Sequence, residues 1–385
     1  MAKRSSFTFY GKLRKLKENS YTETSGEGWT SKRLQFQMIC GNNVLYLKND
    51  AFLWNDEAKR ETRCYSDKKK ENISVKWSDR LDDATIENIA PYALYVVDTD
   101  TDEHRAELET AGETEALAKS QAKRKKFVFD ADFIDYVNKV INNEKSKDMI
   151  FKVTGDVTYS YSSEKGQYYR EFNPKQIVRV AGDTEQSAVV NATIFYTAED
   201  IDKSFVEETG DIILNTHIQY YDRFVKNDAF APISFRLKAD DPKIKRIVSK
   251  LESEPEKDVA VREFGLQYYC VNGAPQIEFT EDMLTDEQKE DIEAGLCTFE
   301  DIKQSMGFVQ GEKITENRVF NILRSYLATG AVSTGYIPED LTALPASKED
   351  KGESKPQPTP KKTESKAAKK MSEVANIFED DEDEI

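Results

Sequence analysis

Two stretches of the chain alternate apolar and polar residues one for one, and this period of two constrains the fold more than any other feature. In residues 6–54 the pattern runs through Phe7, Phe9 and Leu13, then Leu34, Phe36 and Met38, then Leu45 and Leu47. In residues 148–237 it runs through Phe151, Val153 and Val157, returns at Gln167–Phe172 and Gln176–Val180, and continues through 188–196, 211–221 and 233–237. Successive side chains of a strand point to opposite faces, so such runs read as half-buried strands. Gly41-Asn42-Asn43 between two of them has hairpin chemistry. The two blocks echo each other, each with a glycine in its first strand and an aromatic residue just after a Gly-containing polar loop: Gly28-Trp29 in one, Gly166-Gln167-Tyr168 in the other.

The segments around these blocks differ. Residues 102–126 are rich in Ala, Glu and Lys and suit an exposed helix or connector, while Phe133, Val137, Val140 and Ile141 have the spacing of a helix over 131–143. Further on, the spacing predicts a helix at 243–251, strands at 263–269 and 276–279, and helices at 284–293, 298–305 and 315–328. From Ser347 to Lys370 the chain is Lys, Glu, Ser, Pro and Thr, a composition that cannot bury a core. The expected fold is mainly β (α+β): OB-like Greek-key barrels at 1–100 and 148–240, a helical connector at 101–147, a mixed α+β module at 241–345 for partner or self contacts, a disordered linker at 346–370 and an acidic tail at 371–385.

Charge and residue counts exclude several function classes. The chain has two histidines and four cysteines, with no CxxC, HExxH, GxGxxG, GxSxG or phosphate-loop spacing, so no cofactor, metal or catalytic residue is expected. No apolar run reaches the ~18 residues of a membrane span, no secretory signal follows the N-terminal cations, and the scattered cysteines read as reduced, so a cytoplasmic protein is expected. The net charge of −16 argues against a simple basic coat for nucleic acid. It hides two basic segments, however. Residues 1–80 carry 17 Lys/Arg against 10 Asp/Glu, and residues 119–182 carry 13 against 8.

Both basic segments interleave cations with aromatic residues. Single-stranded nucleic acid is held by cations along its phosphates and by aromatic faces on which bases stack. The candidates are Phe9, Tyr10, Lys12, Arg14, Trp29, Lys32, Arg33 and Tyr46 in the first segment, and Tyr159, Tyr161, Lys165, Tyr168, Tyr169 and Arg170 in the second. Phe7, Phe36 and Phe151 are expected in the core; Trp54 and Trp77 have no assignment. The tip, Met371 to Ile385, carries seven acids and no base. Ile377, Phe378, Glu379, Asp380, Asp381, Glu382, Asp383, Glu384 and Ile385 form a candidate partner-binding tail that could also compete with phosphate for a basic groove.

Strand pattern, Pro/Lys-rich tether and acidic tip together resemble single-stranded DNA-binding proteins of bacteriophage and bacterial type. The resemblance implies an OB fold, coating of exposed strands in replication or recombination, and recruitment of partner proteins through the tail, inside a bacterial host cell. Two other readings stand beside it. One is a non-enzymatic structural or scaffolding protein of a phage particle. The other is an enzyme using Asp98, Asp100, Asp102 and Glu103, a carboxylate cluster after a strand, as a magnesium site; such runs are more often solvated loops.

Overall fold

The computed structural model describes residues 3–223, 226–253, 260–274, 276–277, 284–299, 302–303, 309–310 and 313–344. The expected linker and tail, including Ile377 to Ile385, lie outside the described residues, as does half of the helix expected at 298–305.

The alternating runs are strands, and their pairings close two rings. The first ring uses β1 (Ser5–Lys15), β3 (Trp29–Cys40), β4 (Asn43–Trp54), β9 (Ile150–Ser162) and β10 (Gln167–Val180). β1 pairs antiparallel with β3, β3 with β4, and β10 with β9, which pairs in turn with β1; a parallel contact of Phe172 with Leu47 joins β10 to β4. The second ring uses β11 (Ser187–Tyr196), β13 (Asp211–Asp222), β14 (Asn227–Lys238), β15 (Arg262–Gly273) and β18 (Ile314–Ile322). Here β11 pairs with β13 and β15, β13 with β14, β15 with β18, and β14 meets β18 in parallel. The order is the same in both rings: first strand to second, second to third, third to fifth in parallel, fifth to fourth, fourth back to first. An antiparallel pairing of β1 with β11 joins the rings.

Burial follows the pleat. Phe7, Phe9, Leu13, Phe36, Met38, Leu47, Val153 and Phe172 fill the first ring; Val190, Ile194, Leu214, Phe235, Phe264, Leu266 and Val319 fill the second. β1 serves three partners and changes them at Gly11: Ser5 to Gly11 pair with β9 and Ser6 to Tyr10 with β11, then Lys12 to Lys15 with β3. A Cβ built on Gly11 would lie 2.0 Å from the Ile39 carbonyl oxygen, and one on Gly155 would lie 2.1 Å from that of Asn173. Both glycines are required by backbone approach within the closed ring.

Each ring has a helix between its third and fourth strands. In the first it is α4 (Asp130–Asn142), which buries Phe133, Ile134, Val137 and Val140. In the second it is α6 (Pro242–Glu252), which buries Ile244, Ile247, Val248 and Leu251, with the Asp241 side chain accepting from the Lys243 and Ile244 amides. The long insertion between β4 and α4 holds the hairpin of β5 (Glu61–Ser66) and β6 (Glu71–Lys76), then α1 (Asp83–Asn88), β7 (Tyr95–Asp98), α2 (Asp102–Ala111), α3 (Thr114–Ala122) and β8 (Arg124–Phe127). β7 extends the sheet from β10, and β8 from β7. β2 (Tyr21–Gly26) lies along β3, β12 (Ile201–Asp202) along β13, and β19 (Val332–Ser333) along β15; β16 (Gln276–Ile277) pairs with β17 (Val309–Gln310). α5 (Val206–Thr209) and α7 (Asp286–Glu293) are peripheral, α7 matching the helix expected at 284–293.

Two sequence expectations are corrected. The strands do not sort into a barrel at 1–100 and another at 148–240: β9 and β10 complete the ring begun by β1, β3 and β4, while β15 and β18, expected in a separate module, complete the ring begun by β11. Alternation shows which face of a strand is buried but is silent on its partner. Of the helix expected over 315–328, residues 315–322 are instead strand β18, and only 326–328 lie in a short helix, Tyr326–Thr329. Val319 and Ile322 are both buried, three residues apart, because a bulge opposite Gln267 and Tyr268 inserts Phe320. A bulge breaks the period of two and imitates helical spacing.

At the start of α4, burial pushes the Asp130 carboxyl up to about 6, with Asp132 adding and the Ala131 and Asp130 amides opposing. The folded chain therefore binds this proton more tightly than the unfolded chain does. The group's contribution is most favourable below about pH 4 and is lost as pH rises through about 6. Asp130→Asn is expected to raise stability by about 1–2 kcal/mol at pH 8 and by nothing at pH 4, a discount on the ~1.4 kcal/mol per pKa unit of full linkage. Urea midpoints at the two pH values check this; a gain equal at both would disprove it.

Candidate functional site

The two-residue turn at Gly41–Asn42, with Gly41 at a φ of 59°, pairs Cys40 with Asn43 and so fixes the β3–β4 register. Counting back from it, Gln37 faces Tyr46, Gln35 faces Lys48, Arg33 faces Asp50, Ser31 faces Phe52, and Trp29 faces Trp54. Their intervening neighbours Leu45, Leu47, Ala51 and Leu53 point into the ring. The outward row is thus forced into the open by the same pleat that buries the core. Tyr46 is 55% exposed, Phe52 53% and Trp54 47%. Trp29 stacks on Phe52 with ring centroids 5.8 Å apart, and Phe52 meets Trp54 edge-on at 5.1 Å. Six residues of strand separate Tyr46 from Phe52, a span of about 20 Å.

Cations lie along this stripe. Arg33 Nε donates to Asp50 at 2.6 Å and remains half exposed. Lys48 Nζ lies 2.9 Å from Asp50 and 2.8 Å from Glu171 of β10. Burial opposes its charge, but these two carboxylates outweigh burial and hold the Lys48 ammonium above its ordinary value. Conversely, Arg33 and Lys48 overcome burial at Asp50 and hold its carboxyl low. The hairpin after the stripe turns at Asp67–Lys70, with Lys68, Lys69 and Lys70 all exposed.

Where the β9–β10 hairpin meets the second ring there is a cleft of about 460 Å³, lined by Tyr168, Tyr169 and Arg170 on one side and Pro232, Ser234 and Arg236 on the other. Tyr161 and Tyr168 pack with centroids 4.8 Å apart. Arg170 bridges the rings, donating to Asn317 Oδ1 at 2.9 Å, while the Asn317 amide donates to the Ser234 carbonyl at 3.0 Å.

The sequence candidates separate accordingly. Trp29, Arg33 and Tyr46 belong to the stripe; Tyr168, Tyr169 and Arg170 belong to the cleft, with Tyr161 packed against it and Lys165 exposed near the hairpin tip. Phe9 does not qualify: it is fully buried against Phe7 and Phe172. Tyr159 lines the cleft but packs on the core with its hydroxyl buried and without a hydrogen-bond partner, and burial pushes its phenol well up. Lys32 pairs with Asp135 of α4, and its side chain is 12% exposed. Lys12 pairs with Asp148 at 3.1 Å, and Arg14 donates to the backbone carbonyls of Leu13 and Lys147. These three cations serve the join between β1, β3 and the α4 region. Tyr10 is half-buried on the outside of β1, with Lys152 5.9 Å from its ring centroid.

Sequence reasoning missed Phe52, Trp54, Pro232, Ser234 and Arg236. The first two could have been found from the hairpin register. Trp77, also unassigned, is structural: it is buried between the guanidiniums of Arg80 at 3.9 Å and Arg60 at 4.9 Å.

Of the carboxylates considered as a magnesium site, Asp102 and Glu103 are exposed in the first turn of α2, and Asp98 and Asp100 are buried and occupied otherwise. Asp98 is fully buried and takes Arg105 at 2.5 and 2.9 Å, with Arg124 at 3.6 Å. Asp100, also buried, takes His104 at 3.0 Å and Ser120 at 2.9 Å. Among the described residues no group of three or more His, Cys, Asp or Glu side chains is placed to hold a metal ion.

Fold and site together define a mainly β protein of two joined rings, with an aromatic and cationic stripe on the outside of the first. No family model matches the chain, and no curated protein matches it. Among solved structures, a deletion mutant of the single-stranded DNA binding protein from Thermus aquaticus is similar over 70% of this chain and 87% of that chain, at 8% identity and a TM-score of 0.29. A likeness that loose carries no weight for fold or function.

Proposed function

We propose that the chain binds single-stranded DNA, using the outer face of β3 and β4. The observation that carries this reading is the stripe of Trp29, Phe52, Trp54 and Tyr46 with Arg33 and Lys48 beside it. Tyr46, Phe52 and Trp54 are exposed on a strand whose alternate residues supply a full core, so that core does not need them, and base stacking on such faces contributes ~1–3 kcal/mol per base. The ring connectivity supports it: each ring has the strand order of an OB-like barrel with a helix between its third and fourth strands, and in that architecture the second and third strands form the oligonucleotide face. β3 and β4 hold those two places.

The role proposed is non-enzymatic: protecting exposed strands during DNA replication or recombination in the cytoplasm of a bacterial host, with the acidic tail 371–385 recruiting partner proteins. The test is a titration with fluorescent oligo(dT) at several salt concentrations, following anisotropy and tryptophan quenching, with duplex DNA as competitor. Binding should quench tryptophan, resist duplex competition and weaken with salt. Arg33→Ala should flatten the salt dependence by about 0.7 in log–log slope for the phosphate no longer neutralised; Lys48, 18% exposed and held by Asp50 and Glu171, is not expected to add to it. Absence of binding even at low salt would refute the reading and leave a structural or scaffolding role for the rings.

A further inference from the structure

The cleft between the rings is separate from the stripe, and β10 borders both. Lys48 on the stripe is bound to Glu171, and two residues back on the same face of β10 is Tyr169, which lines the cleft. We propose that the cleft holds a further nucleotide of the same strand, base inward against Tyr168 and Pro232 and phosphate outward at its mouth, so that both rings grip one strand. This rests on the single-strand reading above.

The inward part of the cleft is unsuited to phosphate and suited to a base. Glu316 lines it with its side chain only 10% exposed, repelling an anion, and Asp211, 8% exposed, is paired with the lining residue Arg236. The cations they hold face outward: Arg236 lies 3.2 Å from Asp211 and 3.0 Å from Glu316 with its side chain 44% exposed, and Lys238 lies 2.9 Å from Asp211 and is 50% exposed. Burial opposes the Asp211 charge, but Lys238 and Arg236 outweigh it and hold the carboxyl low, so these ion pairs persist at neutral pH. Both carboxylates thus fix Arg236, which lines the cleft with its side chain partly exposed, where a phosphate passing the mouth would meet it. The walls supply what a base needs: the Tyr168 ring, steadied by Tyr161, the flat apolar surface of Pro232, and the polar Ser234 and Asn317. A volume of about 460 Å³ falls in the range of small-ligand sites.

The experiment is photocrosslinking of the full chain to oligo(dT) carrying 5-iodo-deoxyuridine at single positions, with adducts mapped by mass spectrometry. Adducts are expected at Tyr168 or Tyr169 from one end of the oligonucleotide and at the β3–β4 aromatics from the other. In parallel, Tyr168→Ala with Arg236→Ala should weaken binding of long oligo(dT) about tenfold while leaving short oligo(dT) unaffected, since one stacked base accounts for that factor. Crosslinks confined to β3 and β4, with length dependence unchanged in the double variant, would overturn the proposal while leaving the stripe intact. Free 5-iodo-deoxyuridine monophosphate crosslinking to the cleft as strongly as the oligonucleotide would also overturn it, marking a mononucleotide pocket. If no oligonucleotide binds at all, the stripe reading fails and this one with it.

Discussion

Replacing Phe52 and Trp54 together by alanine is expected to weaken binding to oligo(dT) by at least about thirtyfold, with the urea unfolding midpoint little changed. Both side chains are about half exposed and lie outside the first ring, so truncation opens no cavity. The double variant removes the surface on which two bases stack, ~1–3 kcal/mol each, and ~2 kcal/mol already corresponds to about thirtyfold in affinity. The weakening should appear equally for dT and dA tracts, because stacking tolerates any base. Trp77→Ala is the contrasting variant. That ring is buried between Arg60 and Arg80, so its removal should cost about 3–5 kcal/mol of stability at the scale of a buried aromatic, lowering the midpoint accordingly, and should not act on binding directly. Anisotropy with labelled oligonucleotide reads the affinities, since Trp54 is itself a fluorescence reporter. Unchanged affinity in the Phe52, Trp54 variant would remove the stripe from the binding surface.

Gly11→Ala is expected to cost more than about 4 kcal/mol of stability, in the exceptional range for a single substitution. A methyl group at Gly11 would sit 2.0 Å from the Ile39 carbonyl oxygen and 2.8 Å from its carbon. Both atoms are backbone of β3, so no side-chain rotation relieves the clash. β1 must instead move away from β3 at the point where it changes partners, and that approach is part of the closure of the first ring. Against a typical total of ~5–15 kcal/mol this is a large fraction of the fold's stability. Gly182→Ala is the control: it lies in a turn with nothing within 4 Å of a built Cβ and should change stability by less than about 0.5 kcal/mol. Equal urea midpoints for the two variants would show that the first ring tolerates separation at this crossing.

Some of the site is legible in the residues alone. The alternation through β4 puts Tyr46, Phe52 and Trp54 in one phase and Leu45, Leu47 and Leu53 in the other. The Gly41–Asn42 turn then sets Trp29 opposite Trp54. The burial of Phe9 is equally legible, since it shares the phase of Phe7 and must be buried with it; its place among the stacking candidates ignored that phase. Other parts are beyond any reading of local pattern. Nothing near Arg236 or Pro232 signals a partner in Tyr168, more than sixty residues away. Lys12, Arg14 and Lys32 look like free cations until Asp148, the Lys147 carbonyl and Asp135 are brought beside them.

The sequence by itself determined nine of the ten ring strands, β18 being the exception, which side chains point inward along them, and the register of the β3–β4 hairpin, because these depend on the pleat and on a two-residue turn, both local. The tertiary structure alone decided that β9 and β10 complete the ring of β1, β3 and β4, that β15 and β18 complete the ring of β11, β13 and β14, and that a cleft forms between them. Strand pairing is satisfied by any partner with free backbone groups and a matching apolar face, so the choice depends on how the whole set of strands can close and be filled at once. That requirement for joint closure is carried by distant neighbours such as Gly11 against Ile39 and Arg170 against Asn317, and no short window of residues contains them.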